Sequence, residues 1–376
     1  MVKSGKLLRS LIRAGTRTAK LFADATAANT KAANKAARAA AKPTPTPKPK
    51  RTTTHQPRAK PHPAPLRMPG VFPAMPSATE PPAVAPGKWL TSYLPNAAGQ
   101  RMSYWLYLPN NLSERAASKG LPLLVMLHGC QQTATQFAQG TRMNLWAEKL
   151  GYAVLYPQQP VSAHPHRCWK WYDRATQEGG GDVATILAMI HKVSTLHAID
   201  RSRIYAAGIS AGAGMANILA LNNPHLFAAV GLHSGPVFGA GHNPLGALSV
   251  MKNGALGMRA DLAAHEILKR HPEFPGMPAI LFQGDSDNVV RSVNQLQLVR
   301  QSMLLNHLSG PAKTTRKRHY TLHDFFDGRK LLLRVAQVDK LEHAWSGGDP
   351  AFAFNDRAGP NASKMMLEFF GRHRRA

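Results

Sequence analysis

Acidic residues are scarce in this sequence of 376 residues. Twenty Asp and Glu residues stand against 47 Lys and Arg residues, which gives a formal net charge of +27. The excess is uneven, because residues 1–70 hold sixteen of the basic residues and a single acid, Asp24. Such a segment favours contact with an anionic membrane, a polymer granule or nucleic acid, the last through nonspecific attraction to phosphate. A solvated tail is the alternative interpretation, and no base-reading motif is present.

Long apolar runs are also missing. The sequence has no stretch of about twenty apolar residues, so we expect no segment to span a membrane. A secretory signal needs an uninterrupted apolar core of roughly 7–15 residues. Arg9 and Arg13 interrupt the only candidate for such a core.

Cysteine is limited to two residues. His164, His166 and Cys168 are closely spaced, but the sequence has no complementary Cys or His cluster at the spacing of a zinc site. We therefore expect neither a metal nor another cofactor.

Proline is concentrated in one segment and is sparse in the rest of the sequence. Fourteen of the 29 prolines fall within residues 43–86, which cannot bury enough apolar surface to fold and should form a disordered linker. Residues 1–42, rich in Ala, Lys and Arg, have the pattern of a basic amphipathic helix. Residues 87–376 are long enough for one domain with a sizeable core. We predict three parts: a basic extension, a Pro-rich linker and one folded domain.

The folded part alternates apolar runs of strand length with helical patterns. This alternation predicts an α/β fold, with a mostly parallel central sheet flanked by helices. A strand pair near 89–93 and 103–108 opens the pattern, and Asp327-Gly328 predicts a hairpin into the last strand. We expect further strands near 121–127, 152–156, 203–207, 228–233, 278–283 and 331–338, and helices near 182–195, 211–221 and 361–370.

Residues 208–212 read Gly-Ile-Ser-Ala-Gly, between an apolar run and an Ala-rich helical pattern. This is the pattern of the nucleophile elbow of an α/β-hydrolase, where a strand turns sharply into a helix and exposes a serine. Small residues must flank the serine because the turn packs closely against its neighbours. Ser210 is therefore a candidate nucleophile, and a plain helix cap is the alternative.

An acid and a histidine follow Ser210 in the order that α/β-hydrolases use. Asp285 and Asp287 come after a predicted buried strand, and His343 comes after the last one. Both Asp residues also suit a turn. We favour Asp287 as the catalytic acid, Asp285 as a turn or capping residue, and His343 as the base.

The strand ending at Leu127 is followed by His128 and Gly129. In this fold the loop after that strand supplies one backbone N–H to the oxyanion, and the residue after the nucleophile supplies another. We assign these donors to Cys130 and Ala211. A simple strand-ending turn is the alternative for this segment.

Five segments together resemble the polyhydroxybutyrate depolymerase type of esterase, a family that also contains feruloyl and acetyl-xylan esterases. The segments are 127–134, 168–172, 208–212, 283–290 and 343–348. The resemblance covers about residues 90–371. It implies an α/β-hydrolase with Ser210, Asp287 and His343 as nucleophile, acid and base. It further implies a disulfide between Cys130 and Cys168 that braces the oxyanion loop.

The sequence departs from the family pattern at two positions. Gln283 stands where the family commonly has His, and Glu342 stands where Gly is usual. Neither change removes a triad member, although Glu342 is placed to perturb the pKa of the histidine or to narrow the site. Three tryptophans lie beside motif residues and are candidates for walls of a substrate groove, with ordinary core packing as the alternative: Trp169, Trp171 and Trp345.

The sequence favours a serine hydrolase that cleaves short-chain polyhydroxyalkanoate esters. Feruloyl or acetyl-xylan esterase activity is one alternative, and a granule-binding or nucleic-acid-binding protein dominated by its basic tail is another. Family resemblance and the cysteine pair favour secretion. The absence of a recognisable signal leaves a cytoplasmic or granule-surface location open.

Overall fold

The structure is a computed structural model that describes residues 85–96 and 99–376. The predictions for residues 1–42, and for nearly all of the 43–86 segment, lie outside these residues. No helix within the described ranges is long and apolar enough to cross a membrane.

A single large sheet organises the described residues and contains ten of their strands. Its strand order is β1-β2-β4-β3-β5-β6-β7-β10-β9-β8. The six strands from β4 to β10 in this order run parallel, and antiparallel strands extend the sheet at both sides. The strands are β1 (Lys88–Pro95), β2 (Arg101–Leu108), β3 (Leu121–Leu127), β4 (Ala153–Pro157), β5 (Ile199–Ile209), β6 (Phe227–His233), β7 (Ala279–Gly284), β8 (Lys313–Arg316), β9 (Tyr320–Asp327) and β10 (Lys330–Val338), and a separate small sheet pairs β11 (Trp345–Ser346) with β12 (Asn355–Asp356).

Helices connect the strands and cover the sheet. α5 lies between β4 and β5, and α6 follows β5 directly, as the helical patterns predict. The helices are α1 (Glu114–Lys119), α2 (Ala134–Thr141), α3 (Met143–Leu150), α4 (Arg174–Gln177), α5 (Asp182–Leu196), α6 (Ala211–Asn222), α7 (Pro244–Asn253), α8 (Arg259–Arg270), α9 (Val293–Leu305) and α10 (Ala362–Phe370).

Both faces of the central strands of the sheet are buried. All seven residues of β3 are buried. Leu123, Val125 and Leu127 belong to the hydrophobic cluster on one face, while Leu124 and Met126 belong to the cluster on the other. Successive side chains of a strand point to opposite faces, so a strand covered on both sides reads as a continuous apolar run.

The predicted strands and helices lie close to the observed ones, and the hairpin turn at Asp327-Gly328 joins β9 to β10. The edge strand β8 has no counterpart among the predictions. It is four residues long, largely exposed, and contains Lys313 and Arg316. Because it buries little apolar surface, its sequence carries no alternation that would reveal a strand.

Candidate active site

Ser210 joins the end of β5 to the start of α6. Its backbone has φ 56° and ψ −123°, a conformation that costs a non-glycine residue roughly 1–3 kcal/mol. The Ser210 N–H donates a hydrogen bond of 3.0 Å to the carbonyl of His233 at the end of β6. The turn thus places the serine at the carboxyl edge of the sheet, where 8% of its surface is exposed, while its neighbours hold the strained backbone.

The two glycines beside Ser210 allow the backbones of α6 and β3 to approach. A Cβ at Gly212 would lie 2.0 Å from the carbonyl oxygen of Leu127. A Cβ at Gly208 would lie 2.6 Å from the same oxygen and 2.5 Å from the Gly212 carbonyl. Side chains do not fit at these distances, which explains the Gly-x-Ser-x-Gly pattern.

Asp287 and His343 are joined across the loops that follow β7 and β10. The Nδ1 of His343 donates to Oδ2 of Asp287 at 2.8 Å, and both side chains are largely buried. β5, β6, β7 and β10 are consecutive neighbours, so their carboxyl ends bring these loops to the same edge as Ser210. No hydrogen bond joins the Ser210 hydroxyl to His343 among the described residues. In unliganded sites such bonds are often long and tighten when substrate binds.

The environment of Asp287 favours its ionised form. Burial opposes ionisation, but hydrogen bonds from His343, Val290 and Val289, together with the charge of His343, outweigh it and hold the pKa of Asp287 below its ordinary value. Its second oxygen accepts both backbone N–H groups at 2.9 Å. Gln283, which departs from the family pattern, donates to Oδ2 at 3.1 Å. This glutamine therefore helps to orient the carboxylate.

Asp285 links the two loops that carry the acid and the histidine. Its Oδ1 accepts the N–H of Lys340 at 2.7 Å and the hydroxyl of Ser286 at 3.0 Å. Its own N–H donates to the carbonyl of Val338 at 3.1 Å. These contacts are those of a turn and loop residue, and they leave the interaction with His343 to Asp287.

His233 is a part of the site that the sequence analysis did not single out. Its ring is completely buried between Phe282 and Trp345, with ring centroids 5.5 and 5.1 Å away. Its Nε2 accepts the N–H of Ser346 at 3.1 Å, and burial lowers its pKa to about 3. Because its carbonyl also accepts the Ser210 N–H, His233 connects the serine turn to the segment after His343.

The two predicted oxyanion donors follow strand ends, Cys130 in the loop after β3 and Ala211 at the start of α6. Ala211 is the first residue of α6, so its N–H has no partner within the helix. The Cys130 N–H also has no hydrogen-bond partner among the described residues. A disulfide joins Cys130 to Cys168, the pairing that the family resemblance implies. It ties the loop after β3 to the loop after β4.

The tryptophans do not form an exposed groove. Trp169 and Trp345 are completely buried, and Trp171 is 5% exposed. Trp169 donates to the carbonyl of His128 at 3.0 Å, and Trp345 donates to the hydroxyl of Ser363 at 3.1 Å. Complete burial favours the core-packing alternative for Trp169 and Trp345. Both are core residues that support the loops of the site.

No group of three or more His, Cys, Asp or Glu side chains in the described part of the chain is arranged to hold a metal ion. The rings of His164 and His166 lie 6.1 Å apart. Cys168, the third member of that sequence cluster, is engaged in the disulfide.

Comparison with known sequences decides the family. A sequence model of the family described as "Esterase PHB depolymerase" matches residues 102–322, more than half of the chain. The chain belongs to this family. The matched segment includes Ser210 and Asp287 and ends before His343.

The curated relatives are named after three different esterase activities. Probable acetylxylan esterase A of Aspergillus fumigatus is 29% identical over 197 residues, 52% of this chain and 48% of the relative. Feruloyl esterase B of Thermothelomyces thermophilus is 34% identical over 137 residues, 36% and 44% of the two chains. Poly(3-hydroxyalkanoate) depolymerase C of Paucimonas lemoignei is 29% identical over 184 residues, 48% and 44%. The chain spans about half the length of the curated relatives it matches.

Solved structures share the fold. The acetyl xylan esterase from Aspergillus awamori superposes with a TM-score of 0.61 at 20% identity, over 75% of this chain and 99% of that one. At this identity the likeness concerns the fold alone. It confirms the predicted α/β-hydrolase fold of this Esterase PHB depolymerase family member.

Proposed function

We propose that this chain is a serine carboxylic-ester hydrolase in which Ser210, His343 and Asp287 form the catalytic triad. The hydrogen bond of 2.8 Å between His343 and Asp287, at the same edge of the sheet as the strained Ser210, carries the proposal. Family membership supports the same chemistry.

The reaction begins when Oγ of Ser210 attacks the ester carbonyl carbon and Nε2 of His343 accepts the hydroxyl proton. Asp287 holds the imidazole with its Nδ1–H toward the carboxylate and stabilises the positive charge that forms. The backbone N–H groups of Cys130 and Ala211 bind the oxyanion. When the carbon–oxygen bond to the alcohol breaks, His343 returns the proton to the alcohol oxygen. A water, deprotonated by His343, then cleaves the acyl–serine ester and regenerates Ser210.

Short-chain hydroxyalkanoate esters are the proposed substrates. The family description and the relative from Paucimonas lemoignei, named as a poly(3-hydroxyalkanoate) depolymerase, support this class. Acetyl or feruloyl esters of plant polysaccharide are the second candidate, because relatives named as acetylxylan and feruloyl esterases match at 29–34% identity. The same triad serves all of these esters, so the acyl and alcohol pockets must distinguish them.

A small substrate panel tests both levels of the proposal. Purified protein is assayed with p-nitrophenyl acetate and butyrate, methyl ferulate and amorphous polyhydroxybutyrate. We expect Ser210→Ala to lower kcat by at least about 10⁴-fold. Ser118→Ala, at an exposed serine in α1, should leave turnover unchanged. If Ser210→Ala turns over the esters as fast as the wild-type protein, the proposed triad is wrong. The ester that the wild-type protein hydrolyses best identifies the substrate class.

A further inference from the structure

His128 is a completely buried histidine at the end of β3 that the proposed mechanism does not use. Its Nδ1 lies 2.8 Å from the carbonyl oxygen of Gly129. Its Nε2 lies 3.2 Å from the backbone nitrogen of Gln159 and 3.3 Å from Nε2 of Gln158. Both ring nitrogens are therefore engaged, Nδ1 with the next residue of its own loop and Nε2 with the loop after β4.

The partners fix the tautomer of the ring. A backbone N–H such as that of Gln159 can only donate, so Nε2 of His128 must be the acceptor. A carbonyl oxygen such as that of Gly129 can only accept, so Nδ1 must carry the proton. Burial lowers the pKa of His128 to about 4, which keeps the ring neutral near pH 7. The ring is thus a fixed donor toward Gly129.

The carbonyl that receives this hydrogen bond belongs to the peptide unit that contains the Cys130 N–H. No cis peptide bond occurs among the described residues, and in a planar trans peptide the C=O and N–H point in opposite directions. Holding the Gly129 carbonyl against His128 therefore turns the Cys130 N–H away from the ring. That N–H is the predicted oxyanion donor.

We propose that His128 is a positioning residue that sets the orientation of the Cys130 N–H toward the oxyanion, an inference that rests on the proposed esterase function. A holding contact is needed because glycine lacks a Cβ and lets the Gly129–Cys130 peptide rotate at little cost. The only other hydrogen bond to this carbonyl among the described residues is the longer one from the Gln132 N–H, at 3.4 Å against 2.8 Å for His128. Gln132 accepts the Gly129 N–H at 2.8 Å, which belongs to the preceding peptide unit.

Two substitutions separate orientation of the peptide from general packing. The amide nitrogen of His128→Asn falls close to the position of Nδ1 and keeps a donor toward Gly129. The longer side chain of His128→Gln places its amide near the position of Nε2 instead. We expect His128→Gln to lower kcat about 100-fold with KM changed less than about threefold, as for loss of an oxyanion donor. His128→Asn should keep kcat within about fivefold of wild type, although it leaves the Gln159 N–H unpaired.

A second readout isolates the oxyanion itself. The Ki of a trifluoromethyl ketone, which forms a tetrahedral adduct on the serine, should rise in His128→Gln by the same factor as kcat falls. His191→Gln, at an exposed histidine in α5, should change neither quantity. Thermal unfolding of each variant checks that the fold is retained. If neither variant folds, nitrogen NMR of wild type still decides the tautomer of His128.

Three results would overturn the inference. They are an unchanged kcat in His128→Gln, an equal loss of kcat in His128→Asn and His128→Gln, and a wild-type ring protonated on Nε2. These outcomes differ from failure of the proposed function, in which the wild-type protein would hydrolyse no ester of the panel.

Discussion

Buried neutral histidines should make the stability of this domain strongly pH-dependent. Burial lowers the pKa of His128 to about 4, of His233 to about 3 and of His373 to about 4. The unfolded chain binds these protons near pH 6.5, whereas the folded chain does not. The stabilisation is therefore fully present above pH 6.5 and is lost as the pH falls from 6.5 toward 4.

The size of this effect follows from proton linkage. Between pH 7 and pH 5 each of the three histidines destabilises the fold by about 2 kcal/mol, because the unfolded state gains about three quarters of a proton and the folded state almost none. Together they remove roughly 5–6 kcal/mol, a large part of the 5–15 kcal/mol that stabilises a typical domain. Urea unfolding at pH 7 and pH 5 measures the change directly.

His373 offers the cleanest test. Neither of its ring nitrogens has a hydrogen-bond partner within the described part of the chain, and its ring packs 4.6 Å from that of Phe369. His373→Phe should be at least as stable as wild type at pH 7 and should lose about 2 kcal/mol less between pH 7 and pH 5. Ser118→Ala, at an exposed residue that carries no titratable group, is the control and should leave the pH dependence as it is. If His373→Phe loses as much unfolding free energy between pH 7 and pH 5 as the wild-type protein does, the linkage reasoning is wrong.

Two further substitutions test the geometry of the site. Gly212→Ala should destabilise the fold by at least about 1–3 kcal/mol and lower kcat, because its Cβ would lie 2.0 Å from a β3 carbonyl. Gly310→Ala is the control in urea unfolding, since a Cβ there meets no atom of the described residues within 4 Å. Equal stability of the two variants would contradict the close approach. Asp287→Asn should lower kcat about 10⁴-fold. Asp285→Ala removes the acceptor of the Lys340 N–H and should lower kcat less than about tenfold. If steady-state assays show a larger loss of kcat in Asp285→Ala than in Asp287→Asn, Asp285 and not Asp287 is the catalytic acid.

Patterns in the sequence are enough to nominate the three residues of the proposed triad. Ser210 stands out because small residues on both sides and a strand-to-helix change in periodicity coincide there. Asp287 and His343 stand out because parallel strands deliver their following loops to one edge of the sheet. Such features depend on neighbours in sequence, and they need no knowledge of distant contacts.

The supporting residues depend on distant contacts, and no local pattern marks them. His233 is one of seventeen histidines, and only the fold places it between Phe282 and Trp345. A tryptophan beside a catalytic motif suits a groove wall and a core position equally well from its sequence context. The complete burial of Trp169 and Trp345 comes from how the loops close over them, which no short segment specifies.

The crowded backbone around the serine turn restricts how this scaffold can diversify. Gly208 and Gly212 each approach a main-chain carbonyl too closely to accept even a methyl group. The glycines of the turn tolerate no larger residue. Substitutions that alter substrate preference are therefore expected in the loops that follow the strands. Residues 234–277 lie between β6 and β7, and they include no triad residue and no contact of His128, so we expect changes of specificity to be tolerated best there.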